Sequence, residues 1–193
     1  MRVIAGKLRS RPLRSLPGMD VRPTTDRLRE TLFNILCAGN TAALEGCTFI
    51  DLFAGTGAIG IEAISRGAAQ VLLVESSAKA AAVIQENLHE LGIASGYRIL
   101  QTNVLTALKR LQTEALVADV VFLDPPYNLQ QAYAETLDAL SKSALVGENS
   151  LVIAEHDRHF DPGGEFGELR RARKLKQGDA VLSFYRKRGA VGK

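Results

Sequence analysis

The regular alternation of apolar segments with amphipathic ones constrains the fold of this chain more than any other feature. Apolar stretches that predict strands lie at 47–52, 70–75, 97–101, 119–123 and 150–154. Segments with helical spacing of apolar residues lie at 58–66, 77–91, 104–111 and 130–141. Strands that alternate with helices indicate an α/β fold whose sheet is mostly parallel and carries helices on both faces.

The two ends of the chain depart from this alternation. Residues 170–176 and 180–186 flank Gln177-Gly178-Asp179, which predicts an antiparallel C-terminal hairpin and brings the sheet to seven strands. Residues 2–16 alternate loosely and predict a short hairpin or arm, and a helix is expected at 26–37. We therefore expect a basic N-terminal extension over residues 1–40 and a sheet domain over residues 41–193.

Composition excludes several classes of protein. The 193 residues are 46% apolar and 23% charged, which is typical of a soluble globular chain. The apolar runs fall far short of the roughly 20 residues that a membrane-spanning helix needs. The basic N-terminus has no apolar signal-peptide core after it, and two isolated cysteines form no disulfide framework. These features predict a cytoplasmic protein.

The charge is unevenly distributed along the chain. Residues 1–30 carry a net charge of +5, residues 31–167 carry −9, and residues 168–193 carry +7. An acidic body with two basic ends indicates a polyanionic partner, most simply nucleic acid. The alternative is that the basic ends only keep the protein soluble.

A glycine-rich turn follows the first predicted strand of the sheet. Gly55, Gly57 and Gly60 match G-x-G-x-x-G, and Glu75 ends the next predicted strand. Such glycines let a ligand lie against the backbone, and a carboxylate there can accept both hydroxyls of a ribose. Asp51 would repel the pyrophosphate of a dinucleotide but would favour a cationic ligand. The motif favours S-adenosylmethionine over NAD, with a purely structural turn as the third interpretation.

A second motif, Asp124-Pro125-Pro126-Tyr127, follows the fourth predicted strand. Its two prolines remove two N–H donors, which leaves the Asp124 carboxylate and the Pro125 carbonyl as acceptors beside the flat ring of Tyr127. This set suits a planar base with an exocyclic amine, because two amine hydrogens can meet two acceptors. A rigid loop with a locally packed tyrosine is the alternative. Both motifs follow strands of one predicted sheet, where ligands bind.

The chain resembles the RsmD family, whose members are class I S-adenosylmethionine-dependent methyltransferases that modify the exocyclic N2 amine of a guanine in bacterial small-subunit (16S) ribosomal RNA. The resemblance runs nearly end to end and rests on five stretches, RVIAGK (2–7), RPTTDR (22–27), RETLFN (29–34), DLFAGTG (51–57) and DPPY (124–127). It implies a Rossmann-like fold with a mostly parallel seven-stranded sheet, an antiparallel C-terminal hairpin and a short N-terminal hairpin and helix.

The resemblance also implies two groups of functional residues, and the basic character of the chain's N-terminal part suggests a third. Those expected to bind S-adenosylmethionine are Asp51, Phe53, Gly55, Gly57, Glu75, Ser76 and Asn103. Those expected to hold the target base and to catalyse the reaction are Asp124, Pro125, Pro126 and Tyr127. Basic residues expected to contact phosphates of ribosomal RNA, or of an assembling 30S particle, are Arg2, Lys7, Arg9, Arg11, Arg14, Arg22, Arg27 and Arg29.

Two other functions stay open at this point. An adenine-N6 methyltransferase acting on DNA or RNA would use the same Asp-Pro-Pro-Tyr motif, although a DNA enzyme would usually carry a larger recognition domain. A non-catalytic RNA-binding protein is disfavoured because Asp51, Glu75 and Asp124 are all retained. His156 and His159 lack a third ligand nearby, so we expect no metal site.

Overall fold

The computed structural model describes residues 1–16, 25–126 and 129–189. The helices of these residues are α1 (Asp26–Leu36), α2 (Ala58–Ser65), α3 (Ala78–Glu90), α4 (Val104–Gln112) and α5 (Gln130–Ser141). Their strands are β1 (Thr48–Asp51), β2 (Gln70–Val74), β3 (Tyr97–Leu100), β4 (Ala118–Leu123), β5 (Val146–Asp157), β6 (Glu165–Phe166), β7 (Leu169–Gln177) and β8 (Ala180–Lys187). The predicted α/β class is confirmed. Within the described ranges, no helix is long and apolar enough to cross a membrane.

The chain divides into two compact units, Met1–Thr102 and Asn103–Lys193. In the first unit β1, β2 and β3 are parallel and lie in the order β3-β2-β1. Their interior is apolar, and α2 packs against β1 and β2. β1 and β2 were predictable because parallel strands buried on both faces read as nearly continuous apolar runs, whereas the edge strand β3 is only partly buried.

The second unit contains the order β4-β5-β8-β7-β6. The pair β4 and β5 is parallel, and the remaining neighbours are antiparallel. The predicted C-terminal hairpin is confirmed as β7 and β8. The predicted number of seven strands is wrong, because the described residues form eight. The additional strand β6 has two residues, too few to show a period of two in the sequence.

The predicted N-terminal hairpin is short: one antiparallel bridge joins Arg2 and Pro12, and backbone hydrogen bonds join Met1 to Leu13 and Val3 to Arg11. We call residues 1–16 the N-terminal arm. Side chains of α2 also anchor its backbone: the buried Glu62 carboxylate accepts the Ile4 N–H at 2.7 Å and the Ala5 N–H at 3.0 Å. The arm is therefore fixed to the first unit. The separate domain predicted over residues 1–40 stays a prediction.

Helix α1 begins where the sequence predicts. The Thr25 hydroxyl accepts the Leu28 N–H at 3.2 Å and caps the helix. One face of α1 is buried, and its residues are Leu28, Arg29, Leu32 and Phe33. The presence of an arginine on this face bears on the predicted RNA contacts.

Candidate functional site

The glycine loop, residues 52–57, connects β1 to α2 in the first unit. Gly55 has a φ of 55°, and a Cβ built there would meet no atom within 4 Å. The left-handed backbone and the open space leave a surface on which a ligand can lie. Gly60, in contrast, is needed for packing, since its Cβ would lie 2.7 Å from the Leu73 side chain. Gly57 directly precedes the first turn of α2.

Glu75 follows β2 and ties the glycine loop to the start of α3. One oxygen of its carboxylate accepts the Gly55 N–H at 2.8 Å, and the other accepts the Ser77 N–H at 2.8 Å. Each carboxylate oxygen keeps a second lone pair, so the group can still accept hydrogen bonds from ligand hydroxyls. Ser76 is exposed in the turn between Glu75 and the Ser77 cap of α3.

Asp51 ends β1 and is 1% exposed. Its Oδ2 accepts the Gly60 N–H at 3.2 Å, whereas its Oδ1 has no hydrogen-bond partner among the described residues. Burial raises the pKa of this carboxyl to about 7, and the charge of Glu75 adds to the rise. The amides of Gly60 and the half-buried Phe53 offset part of the pKa shift. A buried acid with one unsatisfied oxygen is suited to a positively charged ligand.

These features of the first unit fit the expected donor. An open glycine surface, a carboxylate with spare lone pairs and a buried acid match a ligand that carries a ribose and positive charge. The pyrophosphate of a dinucleotide would face the charges of Asp51 and Glu75 in this part of the chain.

Asn103, which the family resemblance implies as a contact of S-adenosylmethionine, has a structural role at the start of α4. Its side-chain oxygen accepts the Thr106 N–H at 2.9 Å and caps the helix. An Asn directly before a helical segment is a recognised cap signal, so this role could have been read from the sequence. Its contact with S-adenosylmethionine stays a prediction.

The acceptor segment, residues 124–126, follows β4 in the second unit. Asp124 is half-buried and Pro125 is buried. The Tyr133 hydroxyl donates to the Glu155 carbonyl at 2.7 Å and lies 3.4 Å from the Pro125 carbonyl oxygen. The long second contact leaves the Pro125 carbonyl with accepting capacity and holds it in position.

The rest of the Asp-Pro-Pro-Tyr motif is only partly described. Pro126 is exposed, and its carbonyl accepts the Leu129 N–H at 2.8 Å, which starts the approach to α5. Tyr127, predicted to stack on the base, lies outside the described residues. The structure therefore describes the acceptor residues of the motif, Asp124 and Pro125, but not its tyrosine.

The basic residues of the N-terminal arm are mostly exposed. Arg2, Lys7 and Arg9 are exposed, as is Arg27 on α1. Two others contact α3: Arg11 donates to the Glu90 carbonyl at 3.0 Å, and Arg14 pairs with Glu86 at 3.2 Å and also with Glu90. Arg22 lies outside the described residues. The arm thus presents a row of cations, two of which are partly neutralised: Arg14, and Arg2, which lies 3.8 Å from the Asp26 carboxylate.

Arg29 corrects one predicted RNA contact. It is 0% exposed, and its guanidinium donates to Asp26 at 2.9 Å and to the Arg2 carbonyl. Burial lowers its pKa. The predicted phosphate contact is therefore wrong, because this cation holds α1 against the N-terminal arm. Its position four residues before Phe33, on the apolar face of α1, is the sequence signal that indicated burial.

Asn87 on α3 is a residue that sequence reasoning missed. It is 1% exposed, and its side-chain oxygen accepts the Arg14 N–H at 2.7 Å. Its amide group donates to the Thr56 carbonyl at 3.0 Å and to the Arg14 carbonyl at 3.3 Å. Asn87 therefore joins the N-terminal arm to the glycine loop. A polar residue at an apolar position of a helix was the available signal.

The histidines considered as metal ligands have other partners. His156 is buried, and its ring nitrogens lie 3.0 Å from the Asp157 carbonyl and 3.0 Å from the Ser183 hydroxyl. Burial is the main cause that lowers its pKa. No group of three or more metal-ligating side chains occurs in the part of the chain that the structure describes.

Residues 1–186 match the family described as conserved hypothetical protein 95. A Bacillus subtilis (strain 168) protein, YlbH, provisionally named an rRNA methyltransferase, is 33% identical over 189 residues and covers 98% of this chain and 100% of its own length. Ribosomal RNA small subunit methyltransferase D of Escherichia coli (strain K12) is 34% identical over 159 residues, 81% of this chain and 75% of its own. A solved Escherichia coli structure, the provisionally assigned methyltransferase yhhF, has a TM-score of 0.81 with 28% identity and covers 97% of each chain.

Proposed function

From the premise that this chain belongs to the family described as conserved hypothetical protein 95, the RsmD-type rRNA methyltransferases, we propose that it methylates the exocyclic N2 amine of a guanine in bacterial small-subunit (16S) ribosomal RNA, with S-adenosylmethionine as donor. The observation that carries the chemistry is the acceptor pair after β4, formed by Asp124 and the Pro125 carbonyl. The cytoplasm is the proposed location, because the proposed substrate is ribosomal RNA.

The glycine loop and its neighbours are proposed to bind the donor. S-adenosylmethionine supplies, when bound, a methyl group attached to a positively charged sulfur. Glu75 accepts hydrogen bonds from the ribose hydroxyls, and the open backbone at Gly55 lets the ligand lie close. Asp51 loses its proton as the cationic ligand binds, because a nearby positive charge favours the carboxylate.

The acceptor segment is proposed to activate the amine. The lone pair of a guanine amine is delocalised into the ring, which makes the nitrogen a poor nucleophile. Asp124 and the Pro125 carbonyl accept its two N–H bonds, which favours a pyramidal nitrogen with an available lone pair. The same acceptors stabilise the positive charge that develops on nitrogen as the new N–C bond forms and the bond between the methyl carbon and the donor sulfur breaks, with neutral S-adenosylhomocysteine as the leaving group. The excess proton then passes to Asp124 or to water.

The exposed cations of the N-terminal arm are proposed to bind the RNA backbone. Arg2, Lys7, Arg9, Arg11 and Arg27 are exposed and can contact phosphates, which position the RNA without reading its sequence. The target guanine has to leave its stack, or already lie in a loop, before its amine reaches the acceptor pair. RNA affinity is therefore expected to fall steeply with salt.

One labelling experiment tests this function. The protein is incubated with methyl-labelled S-adenosylmethionine and small-subunit ribosomal RNA, either free or in protein-bearing particles, and the RNA is digested to nucleosides. N2-methylguanosine is the expected product. Labelled N6-methyladenosine would support the adenine methyltransferase instead, and unlabelled RNA in both preparations would contradict the proposed activity.

A further inference from the structure

A cavity of about 200 Å³ opens in the second unit beside the acceptor segment. Its described walls are Gln130, Tyr133, Asp157, His159 and Phe160. The reaction proposed above uses none of these five side chains as a donor-binding group or as an amine acceptor.

The end of β5 places this cavity. Leu123 of β4 pairs with Ala154, and β5 continues for three more residues to Asp157. The chain then turns tightly. The Phe160 N–H donates to the Asp157 carbonyl at 3.1 Å, and the His159 N–H donates to the Asp157 carboxylate at 2.8 Å. The turn is thus held by hydrogen bonds at the strand edge where the acceptor segment begins.

One wall of the cavity is aromatic. The Phe160 ring lies 5.2 Å from the Tyr133 ring and 6.2 Å from the His156 ring, which it meets edge to face. Tyr133 and His156 are buried, whereas Phe160 is half-buried. Phe160 is therefore supported on its inner side and keeps part of its ring accessible, as a platform for a planar ligand requires.

The other wall carries hydrogen-bonding groups. The Asp157 carboxylate has accepting capacity left after its bond to His159, and Gln130 offers both a donor and an acceptor. The Arg158 Nε–H donates to His159 Nε2 at 2.9 Å, which assigns the ring hydrogen to Nδ1. Asp157 brings a carboxylate to the cavity, and its described walls contain no Lys or Arg. The cavity is therefore less suited to a phosphate than to a base with an amino group.

We propose that this cavity binds an unpaired nucleobase of the RNA substrate, the one next to the target guanine, with its ring against Phe160 and its amino group on Asp157. The inference rests on the proposed function. Tyr133 separates the two positions, because its ring lines the cavity while its hydroxyl contacts the Pro125 carbonyl. A base in the cavity is therefore a neighbour of the target and not the target itself.

The test compares Phe160→Leu, Phe160→Tyr and a matched control, Phe166→Leu. Phe166 is also half-buried in the second unit and packs edge to face against Tyr185, but it is not part of the described cavity wall. Initial rates of methyl transfer to small-subunit ribosomal RNA give KM for RNA and kcat. In parallel, 2-aminopurine replaces the base on either side of the guanine that becomes methylated in the labelling experiment, and its fluorescence reports stacking.

Because Phe160→Leu removes the aromatic face on which the base stacks, it should raise KM for RNA by about tenfold, with a much smaller change in kcat. Phe160→Tyr keeps an aromatic ring, so its KM should stay close to the wild-type value. The control Phe166→Leu should also have the wild-type KM. The fluorescence of 2-aminopurine on one side of the target should change when the wild type binds and should not change when Phe160→Leu binds.

Three results would overturn the inference. They are an unchanged KM in Phe160→Leu, a loss confined to kcat, and 2-aminopurine whose fluorescence the wild type changes on neither side. A wild-type protein that transfers no methyl group would overturn the proposed function and this subsite together. Normal transfer with no effect of Phe160→Leu would overturn the subsite alone.

Discussion

The glycine loop of the first unit and the acceptor segment of the second are built in different ways. The glycine loop is organised by backbone amides and two carboxylates, Asp51 and Glu75, all close to strand ends. The acceptor segment is organised by side chains from other elements, chiefly Tyr133 of α5. The difference suggests that substitutions in the first region change donor binding, whereas substitutions in the second change the rate of transfer.

The largest effect is expected in the acceptor segment. Asp124→Ala removes one of the two groups that accept the amine hydrogens and stabilise charge on the nitrogen. Single-turnover transfer should slow by at least about a hundredfold, while calorimetric binding of S-adenosylmethionine stays close to wild type. A variant that keeps the full single-turnover rate would show that Asp124 has no role in the transfer step. It would also contradict the expectation that the acceptor segment controls the transfer rate and the glycine loop controls donor binding.

The next effect is expected at Glu75. Glu75→Ala removes the proposed acceptor of the ribose hydroxyls and the link between Gly55 and Ser77. Hydrogen bonds to a charged group are worth about 1.5–3 kcal/mol, so Kd for S-adenosylmethionine should rise by roughly 10- to 100-fold. The transfer rate at saturating donor should change far less. An unchanged Kd would exclude Glu75 from donor binding.

The pH dependence of donor binding tests Asp51. A cationic ligand favours the carboxylate, and the pKa of Asp51 in the ligand-free protein is about 7. Donor affinity should therefore rise about tenfold between pH 6 and pH 8. Asp51→Asn should give weaker binding that is flat over this range, and calorimetry at several pH values measures both. A wild-type profile as flat as that of the variant would contradict the role.

The same pKa shift predicts a stability difference with a definite sign. The pKa of Asp51 is about 7 when folded and about 4 when unfolded, so the folded state binds the proton more tightly. The free energy of unfolding should fall as the pH rises from about 4 to about 7. Asp51→Asn should lack this contribution. Urea unfolding of both proteins across this range isolates it, and parallel pH profiles would contradict the shift.

Gly6 in the N-terminal arm and Gly39, which follows α1, separate the effect of packing from that of backbone strain. Gly6 has a φ of 83°, and its Cβ would lie 2.0 Å from the Ser65 carbonyl oxygen. Gly39 has a φ of 77° with no atom within 4 Å of its Cβ. Gly6→Ala should destabilise the protein by more than the roughly 1–2 kcal/mol of strain expected for Gly39→Ala. Equal losses in urea unfolding would show that the arm is not clamped at Gly6.

The smallest effect is expected for single phosphate contacts. Arg9 is exposed, and its replacement by Ala should weaken RNA binding and reduce the slope of log affinity against log salt by about one. Arg14→Ala should reduce the slope less, because Glu86 and Glu90 already pair with Arg14. Filter binding at several salt concentrations compares them. Equal slopes in the wild type and Arg9→Ala would count against the arm as an RNA contact.

Much of the fold was predictable because its information is local. The helix at 130–141 is observed at the same bounds, and the β1 strand, glycine loop and α2 follow in the predicted order. β5 starts earlier than predicted, because Gly147, Glu148 and Asn149 have the composition of a turn although they continue the strand.

The site was less predictable wherever a contact spans a long sequence separation. Asn87 bonds to Arg14 and Thr56, which lie 73 and 31 positions earlier in the sequence. No local pattern around Asn87 identifies them as its partners. The aromatic wall around Phe160 needs Tyr133 from a different element. For Arg29, in contrast, a local signal was available: its spacing from Phe33 indicated burial, although its charge favoured a contact with RNA phosphates.

The measurement that tests the central claim most directly replaces the labelled guanine by inosine, which lacks the exocyclic N2 amine and otherwise keeps the ring. RNA carrying inosine at that position is expected to bind with nearly the affinity of the guanine RNA and to accept no methyl group from S-adenosylmethionine. Methyl transfer to the inosine RNA at a rate comparable with that of the guanine RNA would contradict the account, because the acceptor pair would then be serving a different atom.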